Sequence, residues 1–179
     1  MSNKVSKSLE KLVSLFPEIA PPITISEESV IAFSSKNKPI SLDLMDEYFS
    51  VWDQIDEFTE MVPCFQLNIS DGYYALVYWK GSLLTYEYIL ITLDKNNTLI
   101  SKKVIAGTIS NGQTIKKSVA TIDEEYCIYT AVGEQDVSIR NYIPTNSSAF
   151  KFEIEPDGTI SSSQEENYLW EEENQKRKN

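Results

Sequence analysis

The chain has 179 residues and a formal net charge of −11, with 41% hydrophobic and 24% charged residues. A chain of this size buries about 70% of the surface its unfolded form exposes, so it needs no disulfide staple, and its balance is not that of a disordered segment. The acidic field disfavours nucleic-acid phosphates and anionic lipid surfaces and attracts basic partners.

The first residues, MSNKVSKSLEKLVSLF, do not read as a signal peptide, because Glu10 and Lys11 interrupt the apolar stretch. Val5, Leu9, Leu12, Val13 and Phe16 stand at helical spacing and predict a short amphipathic helix over 5–16. Pro17 and the Pro21-Pro22 pair end it and force an extended linker. Ser26 is placed to cap a helical turn through EESVIAF, and SSKNKP reads as a loop.

The segment 41–62 carries the strongest helical pattern. Ser41 and Asp43 supply start signals, and Leu42, Met45, Phe49, Trp52, Ile55 and Val62 form an apolar stripe that places Trp52 in the core. Pro63 is the expected stop. The same segment holds Asp43, Asp46, Glu47, Asp53, Asp56, Glu57 and Glu60 and no Lys or Arg. A helix so charged forgoes the mixed i,i+4 pairs that usually support one. Its acids are either a solvated face or a docking face.

After Pro63 the apolar period changes to two. CFQLNI, YYALVYW, TYEYILITL, LISKKVIAGTI, TIKKSVATI, EYCIYTAV and AFKFEIE are the expected strands. They are joined by turn chemistry such as Lys80-Gly81-Ser82, Asp94-Lys95-Asn96-Asn97, Asn111-Gly112 and Pro156-Asp157-Gly158. Short connections make sequence neighbours pair antiparallel, as a meander that curls into a barrel or stacks as a curved sheet against the helices. Two hairpins, ITLDKNNTLIS and FEIEPDGTISS, share one pattern and read as one turn solved twice before a faint internal repeat. Ser163 and Glu166 have capping-box spacing, so a short helix with Tyr168, Leu169 and Trp170 is expected over 163–179, fraying at its end.

Phe16-Pro17-Glu18-Ile19 followed by the meander LVYWKGSLLTYEYILITLDKNNTLISKKVIAG (76–107) resembles small uncharacterised bacterial β-meander proteins. That resemblance implies a fold type and no activity, and it transfers no functional residue.

The chain has no histidine, which removes Ser-His-Asp and Cys-His arrangements, His general bases and His-containing metal sites. Cys64 and Cys127 lie in strand-like apolar runs and read as small buried hydrophobes, with a bridge open only if their strands are neighbours. No Gly-rich loop precedes a helix to cradle phosphate. The loop opened by Asp94 lacks the glycine of an EF-hand and has Ile105 at its twelfth position. Glu87, mid-strand between Tyr86 and Tyr88, reads as a solvated carboxylate before a catalytic one. The pairs Lys102-Lys103 and Lys116-Lys117 could share one basic spot, although edge protection is the default.

The sequence is therefore read as one α+β domain: helical over 1–62, a β-meander over 63–162, and a short C-terminal helix with a tail over 163–179. No catalytic, cofactor-binding or metal-binding residue is assigned. The expected function is non-enzymatic protein–protein interaction, of inhibitor, immunity or assembly-adaptor type, with a basic protein partner docking on Asp46, Asp53, Glu57 and Glu60. The alternative is a small apolar ligand held in a β-barrel. No nucleic-acid or membrane partner is expected, and the expected location is cytoplasmic.

Overall fold

The computed structural model of the chain describes residues 6–138 and 142–165. Helix α1 (Lys7–Val13) opens on Ser6, whose Oγ accepts from the Leu9 amide at 3.1 Å, and buries Leu9 and Leu12. Strand β1 (Ile23–Ile25) precedes α2 (Ser29–Lys36). A second helical stretch runs through α3 (Leu42–Leu44), a π-helical turn (Met45–Phe49) and α4 (Ser50–Trp52). Eight further strands follow: β2 (Glu60–Leu67), β3 (Tyr73–Ser82), β4 (Thr85–Asp94), β5 (Leu99–Ser110), β6 (Thr114–Ile122), β7 (Ile128–Asp136), β8 (Tyr142–Ile154) and β9 (Ile160–Glu165).

The strands form one antiparallel sheet in the order β2 to β9, with β1 added beside β6. The sheet is open: β9 does not pair with β2. It rolls so that its far end lies over its first strands. Four hydrogen bonds tie the roll: Thr92 Oγ1 to the Gly158 carbonyl (2.5 Å), Thr130 Oγ1 to the Ile105 carbonyl (2.6 Å), the Tyr73 hydroxyl to the Glu155 carbonyl (3.3 Å), and the Ile160 amide to Ser101 Oγ (3.2 Å). The first two use buried threonines, whose hydroxyls would otherwise lose water without replacement.

Alternation decides the two cores. Tyr73, Ala75 and Val77 on β3, with Tyr88 and Leu90 on β4, face the inside of the roll and meet Ile105, Ile122, Ile128 and Phe152. Leu76 and Tyr78 on β3, with Ile89, Ile91 and Leu93 on β4, point the other way and cluster with Leu9, Leu12, Phe16, Leu44, Tyr48 and Phe49. The middle strands are thus buried on both faces, which explains their unbroken apolar text.

The turns repeat one solution three times. In Asp94–Thr98, Asp123–Cys127 and Glu155–Thr159 the first amide donates to the fifth carbonyl and the fourth amide donates back to the first. The fourth residue of each adopts positive φ: Asn97 (74°), Tyr126 (63°) and Gly158 (88°).

Several expectations are corrected. The helix expected over 41–62 ends at Trp52, and Pro63 lies inside strand β2, at a bulge in its pairing with β3. An edge strand tolerates proline, and this edge is covered: Gln66 bonds through its amide to the Pro17 carbonyl and Asn37 donates to the Pro63 and Cys64 carbonyls. The helical register also differs. Leu42 is exposed while Leu44, Tyr48 and Phe49 are buried, and Trp52 is half-buried beside Phe49. Ser163 belongs to β9 rather than to a helix cap, and the expected helix beyond it lies outside the described residues. Cys64 and Cys127 sit on β2 and just before β7, which are not neighbours, and both are free. No helix among the described residues is long and apolar enough to cross a membrane.

Candidate functional site

The four acids read as one docking face are separated by the fold. Asp46 lies exposed on the π-helical turn. Asp53, the residue after α4, turns inward: its side chain is only 5% exposed. Its Oδ1 accepts from Lys102 at 2.5 Å and Lys80 at 3.2 Å, and its Oδ2 accepts from the Tyr78 hydroxyl. Lys102 also donates to the Trp52 carbonyl at 2.7 Å, placing a cation on the helix C-terminus. Burial alone would raise the Asp53 pKa, but hydrogen bonds from Lys102 and Tyr78, with the charges of both lysines, hold it below its ordinary value. Burial and then the bond to Asp53 push the Tyr78 phenol up, so it stays the donor. Both carboxylate oxygens are engaged, and Asp53 is a clasp between helix and sheet.

Beyond the clasp, the Asp56 carboxylate accepts from the Phe58 amide (3.0 Å) and Thr59 Oγ1 (2.8 Å). This local capture competes with helix and reverses the chain into β2. It delivers Glu57, Phe58 and Glu60, all exposed, to the tip of the β3–β4 hairpin, where Glu60 pairs across from Gly81.

The hairpin turns through Leu83 and Leu84, since Ser82 pairs with Thr85; Lys80, Gly81 and Ser82 belong to strand β3 instead of the expected turn. The two leucines are 67% and 59% exposed. Leu84 has φ 63°, a conformation that glycine or asparagine ordinarily supplies in such a turn. The Ser110 amide donates to the Leu84 carbonyl at 2.8 Å and fixes the tip to β5.

Behind the tip, Trp79 and Tyr86 lie parallel, with centroids 5.8 Å apart and planes 8° from each other. Gly81 makes this possible. A Cβ there would stand 2.3 Å from the Trp79 ring, so only glycine lets the indole lie across the strand. Gly81→Ala is expected to displace Trp79 from Tyr86 and to cost about 1 kcal/mol, the worth of an aromatic pair. Thermal melting and the NMR shift of the Trp79 indole proton check this.

The tip is therefore an apolar surface of Phe58, Leu83, Leu84, Trp79 and Tyr86, rimmed by Glu57 and Glu60, with no basic residue lining it. Two concavities lie elsewhere on the sheet, the first sharing Trp79 and Tyr86 with the tip. One of about 370 Å³ lies between the start of α2 and the Trp79–Tyr86 pair. The other, of about 340 Å³, lies in the crease of the roll against Ile105, Ala106, Phe150 and Phe152, with Glu87 and Lys116 among its lining residues.

Two of the four lysines that could share a basic spot are engaged by carboxylates. Lys102 is taken by Asp53 and Lys117 by Glu27 (2.7 Å). Burial pushes the Cys64 thiol pKa up, which disfavours the reactive thiolate. Among the described residues no three Cys, Asp or Glu side chains gather as a metal-holding group. No protein-family model matches the chain, and comparison with curated proteins and with solved structures finds no match.

Proposed function

We propose that the chain is a non-enzymatic interaction module that docks a basic protein segment on the tip of the β3–β4 hairpin. One observation carries the reading: two exposed leucines stand at the hairpin turn, one in a left-handed conformation costing about 1 kcal/mol, beside two carboxylates. Ordinary turn chemistry would place Asn or Gly here and would be better for folding. The leucines thus oppose stability and solubility and suit an apolar contact. Of the four acids first singled out, Glu57 and Glu60 form the rim of this surface, and Asp53 serves the clasp behind it. With a net charge of −11, the surroundings steer a positively charged partner toward the patch. An inhibitor or an assembly adaptor works by such contacts.

The test is selection of displayed peptides against the whole chain. Peptides combining an aliphatic or aromatic residue with Lys or Arg should be enriched. Glu57→Lys with Glu60→Lys should reduce their affinity about tenfold at low salt and flatten its salt dependence. Enrichment of peptides without basic residues, or equal binding by the charge-reversed variant, would overturn the reading.

A second reading is favoured by the crease of the roll. Its apolar lining and volume of about 340 Å³ suit a small apolar ligand. The sheet is open, so such a ligand would lie in the crease and not inside a closed barrel.

A further inference from the structure

The concavity at the start of α2 shares Trp79 and Tyr86 with the leucine tip. Its wall is an aromatic ladder set by strand register. Trp79 pairs with Tyr88, and Gly81 with Tyr86, so all three rings rise from one face of β3 and β4. Facing them are Val30 and the carboxylates Glu27 and Glu28. Tyr88 is buried, and its hydroxyl lies against Ser29 and the Val30 backbone at the start of α2.

No single structural role accounts for these features together. Acids at a helix N-terminus favour the helix dipole, which accounts for Glu27 and Glu28 and not for the aromatic wall. Core packing accounts for Tyr88 and not for the accessible Tyr86 ring. The Glu27 carboxylate is bonded to Lys117, yet both side chains are about half exposed, and such a pair exchanges readily with solvent or a competing cation. Electron-rich ring faces beside carboxylates attract a cation and repel an anion, and a planar guanidinium also stacks on aromatic rings.

We infer that this pocket receives an arginine side chain of the docked segment, its guanidinium on the Trp79–Tyr86 wall and its charge toward Glu28. The inference rests on the docking reading, because one extended segment would span the leucine tip and the pocket across their shared wall.

The test is an NMR titration of the full chain with Nα-acetyl-argininamide, using the lysine and the neutral citrulline amides as comparators. The arginine compound should shift the Trp79 indole and the Tyr86 and Tyr88 ring signals. Citrulline should bind about tenfold more weakly, as expected for loss of the cation. Glu28→Gln and Tyr86→Ser should each weaken arginine binding while leaving the circular dichroism spectrum unchanged. Equal shifts from citrulline, shifts located elsewhere, or tighter binding of lysine would overturn the assignment. The variant Leu83→Ser/Leu84→Asn separates the two readings. It should lose selected peptides and keep argininamide. If argininamide binds but peptides ignore the tip, the docking reading fails alone. If peptides need the tip but argininamide does not bind the pocket, this inference fails alone.

Discussion

Phe49→Ala is expected to lower the free energy of unfolding by about 3–5 kcal/mol, the usual range for a fully buried phenylalanine. Phe49 is completely buried. Its ring stands edge-on to Tyr78, with centroids 5.1 Å apart at 90°, and 5.2 Å from Trp52. Truncation would leave a cavity bounded by β3 on one side and the helical stretch on the other. Neither wall can collapse into it readily, because the Asp53 clasp fixes their separation. A denaturant titration measures the loss. Leu42→Ala on the same stretch provides the contrast, since Leu42 is 82% exposed and its removal should change little. Similar losses for both would contradict the register, and no loss for Phe49 would contradict the packing of this stretch against the sheet.

The second large effect belongs to the clasp. Asp53→Ala would leave Lys80, Lys102 and the Tyr78 hydroxyl without their shared acceptor, in a site where the lysine side chains are 15% and 28% exposed. Removing one partner of a fully buried pair costs about 3–5 kcal/mol. The partial exposure of Lys102 lets water replace some of the loss, so about 2–3 kcal/mol is expected. The effect should depend on pH. The folded-state pKa of Asp53 lies below the ordinary 3.8, so its contribution is fully present above that value. It is lost as pH falls through the lowered folded pKa. Wild type and Asp53→Ala should therefore differ at neutral pH and converge on acidification below about 4. A difference that persists unchanged into strong acid would mean that packing, rather than the ionised carboxylate, supplies the stability.

The meander was legible because two signals agreed. Runs of β-branched and aromatic residues from Tyr73 to Asp94 mark the strands, and Asp and Asn positions such as Asp94–Asn97 and Asn111 mark connections. The helix at 41–62 was misread because its apolar stripe runs past Trp52 into text that is not helical. Asp56 and Thr59, three apart, carry a local signal for the capturing turn, and β-branched Thr59 and Val62 suit the strand that follows. Asp53 could not be read locally: its partners lie 25, 27 and 49 residues away. The acidic run looked like one surface for the same reason. Three-dimensional structure gives Asp53 to the interior, Asp46 to the helical stretch, and Glu57 and Glu60 to the hairpin tip. The tip was hidden by its glycine. Gly81 suggested the turn, whereas its role is to lie beneath Trp79.

Docking at the leucine tip can be checked by measuring stability and peptide affinity together on Leu83→Ser/Leu84→Asn. Asparagine accepts the positive φ of position 84 more readily than leucine, so stability should be unchanged or higher by up to about 1 kcal/mol. Affinity for the peptides selected on the wild-type chain should fall at least about tenfold, in line with loss of a central apolar contact. A more stable protein that no longer binds is expected if the leucines form the docking surface. A less stable protein, or one that binds those peptides as tightly as before, would contradict it.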